Sequence, residues 1–136
     1  MGDELLLCVR GNTGTISIAT LPLKGANVTR GIVPICFNPQ KVNRDFSYYQ
    51  FISSYILKQI KGKTYGAALM QINIGDLRKI SVLLPSLQEQ QTIVQKLDAL
   101  SAKTKQLEII YQQKINDLHE LKKSILQKAF AGKLNT

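Results

Sequence analysis

The stretch Leu83-Leu84-Pro85-Ser86-Leu87-Gln88-Glu89-Gln90-Gln91 decides how this chain is built. Ser86 and Glu89 stand three apart, the spacing at which a hydroxyl and a carboxylate satisfy free N–H groups of a helix's first turn. Pro85 ends the strand-like pattern before it. From Gln88 to Ala131 there is neither Pro nor Gly, and Gly132 then supplies a stop. At 1.5 Å per residue this run makes roughly 66 Å of continuous helix. Such a helix is no packing element of an ordinary small domain. It is a rod.

The rod carries a register. Ile93, Leu97, Leu100, Thr104, Leu107, Tyr111, Lys114, Leu118, Leu121, Ile125 and Lys128 follow one another at alternating steps of four and three. An apolar seam sustained over about five heptads favours a coiled coil over a helix lying on a large core. A parallel homodimer would confine Lys114 against its own copy. An antiparallel one crossing near Ile110 pairs Ile93 with Ile125, Leu97 with Leu121 and Leu100 with Leu118. It also sets Lys114 beside Thr104, Leu107 beside Tyr111, and Lys103 near Asp117 on the flank. Removing the like-charge layer decides direction, so the expected pair is antiparallel.

Leu84-Pro85-Ser86-Leu87-Gln88-Glu89-Gln90-Gln91-Thr92-Ile93-Val94-Gln95-Lys96-Leu97-Asp98 resembles the L-P-x-L-x-E-Q-x-x-I-V-x-x-L-D opening of the spacer helix in type I restriction–modification specificity subunits. Gln127-Lys128-Ala129-Phe130-Ala131-Gly132-Lys133-Leu134 resembles the Q-x-A-F-x-G-x-L close of that helix. Upstream, Gly2-Asp3 before an apolar strand and Arg10-Gly11-Asn12-Thr13-Gly14 resemble the later part of that family's target-recognition domain. So does Ile72-Asn73 to Lys79-Ile80 ahead of Leu84-Pro85. The resemblance implies an α+β fold: a partial DNA target-recognition head over residues 1–84, then a long spacer and dimerisation helix over 85–134. Target-recognition domains of that family are longer than this head, and this chain starts near where their second half would. The strand at Leu5–Val9 is therefore expected to lack a neighbour and to expose an edge.

Charge agrees with a polyanion-binding head. The 136 residues carry a net charge of +9. Residues 1–84 hold ten Lys/Arg against four Asp/Glu, and residues 85–136 hold eight against five. A basic excess on the globular part suits nucleic acid, and composition alone equally fits a soluble basic protein. Cys8 and Cys36 sit in apolar, strand-like runs and read as reduced core thiols. With no leader-like start and no 18-residue apolar run, a cytoplasmic protein without membrane partners is expected.

Along the head, Leu5–Val9 reads as a buried strand, Arg10 to Gly14 as a turn, and Thr15–Ala19 as the return strand of a hairpin. Residues 21–29 read as loop. Ile32 to Phe37 reads as a further strand, placed at an edge or bulge by Pro34. Asn43 caps an expected helix from Arg44 to Lys61, with Phe46, Tyr49, Phe51, Ile52, Tyr55, Ile56 and Ile60 on its apolar face and Gly62 as its stop. Lys63 to Asn73 is irregular, Asp76 to Lys79 a short helical turn, and Ile80 to Leu84 a last strand.

Catalytic motifs are missing from this reading. Asn38-Pro39-Gln40-Lys41 has only the first two residues of an amino-methyltransferase's Asn/Asp-Pro-Pro-aromatic loop. There is no Gly-rich cofactor loop after a strand and no nucleotide P-loop. Asp3, Glu4, Asp45 and Asp76 form no acidic pair suited to a nuclease metal, and His119 takes an outward heptad position. No catalytic residue, metal or cofactor is assigned.

The candidates for DNA contact are polar and basic loop residues: Arg10, Asn12 and Thr13 in the first turn, Lys24, Asn27 and Arg30 in the next loop, and Lys61, Lys63, Tyr65, Gln71 and Asn73 around the irregular stretch. Arg, Asn and Gln can read base edges, while Lys mainly meets phosphate. Ile109, Leu126 and Phe130 lie off the seam. In the resembled family methyltransferase subunits dock around these helices, which makes Leu126 and Phe130 a candidate docking surface. The resemblance thus implies a non-catalytic half specificity subunit. It would bind double-stranded DNA, position methyltransferase and restriction subunits, and pair through its helix over a palindromic bipartite site. The alternative is a coiled-coil adaptor, or an inactive fragment, that binds partner subunits without reading DNA.

Overall fold

Leu5 and Leu7 are wholly buried, and the strand they occupy, β1 (Leu5–Cys8), is the middle of a three-stranded antiparallel sheet. The structure is a computed structural model and describes residues 4–133. Gly2-Asp3 and Leu134, which carry the outer ends of the resemblance, lie outside the described residues. β2 (Ile16–Ile18) pairs with one side of β1 in the register Leu6↔Ser17. β3 (Ile32–Ile35) pairs with the other in the register Leu6↔Pro34. The expectation that this strand lacks a neighbour is therefore corrected: both its sides are filled. The outer edge of β3 is also blunt. Val9 N–H donates to the Gly31 carbonyl at 2.8 Å, so the two-residue alternation turns the backbone of Ile32 and Pro34 outward. The Ile32 N–H is taken by the Thr29 carbonyl at 3.1 Å, and Pro34 has none to offer.

The helix expected from Arg44 to Lys61 is two helices, α1 (Arg44–Ile52) and α2 (Ser54–Lys63). Asn43 opens α1 by accepting the Phe46 N–H at 2.9 Å. The break is at Ser53, in extended backbone, whose hydroxyl donates to the Gln50 carbonyl at 2.6 Å and accepts the Ile56 N–H. A serine that serves both ends competes with the helical ladder and lets the chain turn. The break sends Ile52 and Tyr55, expected on the apolar face, outward to roughly half exposure, while Phe51, Ile56 and Ile60 join Leu5, Leu7, Val9 and Ile72 in the core. Gly62 lies inside α2 and does not end it. Thr64 does, with its hydroxyl on the Ile60 carbonyl at 2.7 Å. Cys36 is exposed and Cys8 half-buried, so neither is the core thiol expected.

After α3 (Ile74–Leu77), residues 80–84 join no strand, contrary to the strand expected there. Two glutamine side chains take the partner's place. Gln59 accepts the Ser81 N–H at 2.9 Å and donates to the Ser81 carbonyl at 3.0 Å. Gln50 accepts the Leu83 N–H at 3.1 Å and donates to the Leu83 carbonyl. A primary amide presents the same donor–acceptor pair as a peptide group, so each glutamine stands in for one residue of a strand.

The last helix, α4 (Leu87–Phe130), runs 44 residues. The expected capping box is present: Ser86 N–H and Oγ donate to the Glu89 carboxylate at 2.9 and 2.7 Å. The Ser86 hydroxyl, then its backbone N–H, holds the Glu89 carboxyl below the usual carboxylate range. A lowered folded value means the cap's contribution is present above the unfolded value and lost as pH falls through the folded one. Ser86→Ala should shrink that acid-side dependence to what the backbone N–H still supplies; an unchanged acid limb in a pH series of thermal melts would count against it. At the other end Gly132, at φ +69°, closes a Schellman motif, with Lys133 N–H on the Lys128 carbonyl at 2.8 Å.

Contacts divide the chain into two units, residues 1–95 and 96–136. The opening turns of α4 fall in the first, where Gln90 and Val94 are buried. In the second, residues 98–133 are all exposed. Among the described residues no helix is long and apolar enough to cross a membrane.

Candidate nucleic-acid interface

Two turns far apart in sequence meet at one end of the sheet. The hairpin between β1 and β2 needs glycine at Gly11 (φ +82°) and Gly14 (φ +95°). Its Gly11 N–H and Thr13 hydroxyl both donate to the Met70 carbonyl, at 2.8 and 3.0 Å. The loop from Tyr65 to Gln71 closes on itself through paired backbone bonds of 2.9 and 2.8 Å. Gln71 also bridges Arg10, and the Ile72 N–H reaches the Val9 carbonyl at 3.0 Å. Arg30 precedes Gly31, where a Cβ would lie 3.5 Å from the Arg10 Cβ.

The hydrogen bonding sorts the residues expected to touch DNA. Thr13 spends its hydroxyl donor on Met70, which makes it a brace for the loop. The Tyr65 hydroxyl donates to Asn73 Oδ1 at 2.7 Å, and Asn73 is exposed. Arg10, Asn12 and Arg30 are exposed around this brace, and Gln71 is half-buried within it. Lys61 and Lys63 end α2, the helix that feeds into Tyr65. Lys24 lies elsewhere, in a cleft with Thr20, Cys36, Asn43 and Leu87. Asn27 sits in the exposed stretch 20–30 and belongs to neither hydrogen-bonded group.

Three residues absent from the sequence-derived set complete the loop. Leu69 and Met70 are nearly half exposed at its tip. Gly66, at φ +118°, allows its closure: a Cβ there would lie 2.3 Å from the Leu69 carbonyl oxygen. The single hint in the sequence was Gly66 ahead of Ala67-Ala68-Leu69-Met70, an apolar run with no helical or strand neighbours.

The helix face expected to pair is uncovered. Leu100, Leu107, Ile110, Tyr111, Leu118, Leu121 and Ile125 are each more than two-fifths exposed, and Ile93 slightly less; Leu97 is half-buried. The Thr104 hydroxyl donates to the Leu100 carbonyl at 3.0 Å, and the Lys114 ammonium stands 5.7 Å over the Tyr111 ring of the same chain. Leu126 and Phe130 line a shallow groove with His119, Lys122 and Lys123, and Phe130 is 90% exposed. Among the described residues no three His, Cys, Asp or Glu side chains gather to hold a metal.

Residues 2–124 match the family described as type I restriction modification DNA specificity domain. A putative type I restriction enzyme MjaX specificity subunit from Methanocaldococcus jannaschii is 31% identical over 132 residues, 97% of this chain and 29% of the relative. The type I restriction enzyme EcoBI specificity subunit of Escherichia coli is 26% identical over 97% of this chain and 28% of its own length. The crystal structure of a type I restriction–modification S subunit from M. genitalium superposes with a TM-score of 0.58 at 18% identity. That match covers 96% of this chain and 33% of the other. The chain thus spans less than a third of the curated relatives it matches, and the S subunit shares its fold.

Proposed function

Since the chain belongs to the type I restriction–modification DNA specificity family, we propose that it recognises a DNA half-site and places partner methyltransferase and restriction subunits there, performing no chemistry itself. The observation that carries this reading is the brace at the end of the sheet. Residues 10–13 and 65–73, remote in sequence, are held as one surface with Arg10, Arg30, Lys61 and Lys63 at or beside it. Lysines there neutralise phosphate and set register. Arg10, Asn12, Gln71 and Asn73 bear the groups that address base edges, and Leu69 and Met70 offer apolar contact to a thymine methyl.

The two contact classes separate in a salt titration of DNA binding. Lys63→Ala should weaken all duplexes alike and flatten the slope of log K against log salt by about 1. Arg10→Ala should in addition cost about 1–3 kcal/mol at one base position. Binding that ignores salt, or no binding while partner subunits still co-purify, would favour the adaptor.

Two copies paired antiparallel through α4 would present two heads with two-fold symmetry, and the helix pair would set the gap between half-sites. The exposed seam supports this assembly. Leu126 and Phe130, off the seam, form the proposed methyltransferase contact. Phe130→Ala should reduce methyltransferase co-purification at least about fivefold, as expected when an aromatic anchor is truncated; unchanged recovery would contradict the assignment.

A further inference from the structure

Gln90 is wholly buried, and every polar atom of its side-chain amide is used. Its Nε2 donates to the Pro85 carbonyl at 2.8 Å and to the Lys41 carbonyl at 3.0 Å, and its Oε1 accepts the Asn43 N–H at 2.8 Å. One amide therefore joins the opening turn of α4 to the chain that enters α1. Asn43 is itself the cap of α1, so the two helix starts share a residue. Just upstream, Gln50 and Gln59 fix Leu83 and Ser81 in the same manner. Apolar packing alone would let the turn rock or rotate. Three directional bonds at a buried side chain do not, because any rotation leaves a buried donor or acceptor without a partner.

We propose that Gln90 is a positioning residue that fixes the rotational phase of the opening turn of α4 on the head and so restricts the half-site spacing the assembled protein accepts. The inference rests on the reading of α4 as a spacer. One base pair added between half-sites moves them about 3.4 Å apart and turns one by roughly 35° about the DNA axis. A clamped helix start cannot follow that turn, and a loosened one can.

The test uses the full chain and duplexes carrying its methylated motif with the gap lengthened or shortened by one base pair. Amide hydrogen exchange is followed in parallel. Wild type should lose about tenfold in affinity for either altered gap, whereas Gln90→Met, similar in volume but without the amide, should lose about twofold at unchanged half-site preference. Exchange at Asn43 should accelerate while Leu5 and Leu7 stay protected. Should Gln90→Met be too unstable, Gln90→Asn keeps an amide one methylene short of its partners and takes its place. Slow exchange at Asn43 in the variant would refute the clamp. Fast exchange with an undiminished spacing preference would refute the positioning role and leave the DNA-recognition reading standing. A wild type indifferent to spacing would instead bring down the spacer reading, and this inference with it.

Discussion

Gly66→Ala is expected to lower DNA affinity by about 30-fold or more, a loss of roughly 2 kcal/mol, while leaving the core nearly as stable as before. The new Cβ would stand 2.3 Å from the Leu69 carbonyl oxygen. That atom is backbone, so no rotamer change relieves the clash, and φ +118° is unfavourable for any L side chain. The loop must open, and the paired Tyr65–Gln71 bonds and the Tyr65–Asn73 contact go with it. Leu5, Leu7 and Ile56 are packed elsewhere and should hold the melting temperature within a few degrees. Gly25→Ala is the matched control: its φ is +84°, but nothing lies within 4 Å of its Cβ. Its effect should be confined to a backbone term of about 1 kcal/mol, with DNA binding intact. Wild-type DNA affinity in Gly66→Ala would place the interface elsewhere on the head.

Leu118→Glu should dissociate the proposed helix pair, weakening association at least about 100-fold. In the antiparallel register Leu118 meets Leu100 of the second copy, and symmetry repeats the layer. Each lost leucine contact is worth about 1.5–3 kcal/mol, and a carboxylate must be desolvated besides. Direction is tested by mixing. Leu118→Glu with Leu100→Lys in a second chain places Glu against Lys in one layer and restores Leu against Leu in the other. A parallel pair would face each substitution with an unaltered copy of its own position and regain nothing. Sedimentation equilibrium on the single chains and on the mixture separates these cases. Dimers that survive Leu118→Glu would rule out this seam.

The parts of the fold legible in the sequence were those decided locally. A capping box, 44 residues without Pro or Gly, and a closing glycine define α4 from its own composition. Pro34 placed β3 at an edge because a missing N–H is a property of one residue. The errors arose where distant side chains intervene. Nothing in Ile80–Leu84 shows that its strand partners would be amides of Gln50 and Gln59, more than twenty positions upstream. Ser53 is an ordinary helix residue by propensity, and its effect comes from bonding both flanking turns.

The same boundary runs through the candidate interface. Arg10 and Asn12 were legible one by one as exposed loop residues, and Lys61 and Lys63 as basic residues beside the irregular stretch, although both belong to α2. That Arg10, Tyr65 and Gln71 share one backbone junction was not, since no local pattern encodes a bridge across sixty residues. Lys24 shows the opposite case, a basic loop residue that faces a separate cleft. Gly66 lay unmarked in a stretch read as irregular, yet its value lies in the space that a missing Cβ leaves for the Leu69 carbonyl.

As proposed above, this chain reads DNA and does so as a symmetric pair. Genome-wide mapping of methylated bases, in cells expressing the chain with its partner methyltransferase, tests it most directly. The expected result is a palindromic bipartite motif with one fixed gap, abolished by Gly66→Ala. Absence of any motif while the proteins still co-purify, or an asymmetric motif that requires another specificity subunit, would contradict it.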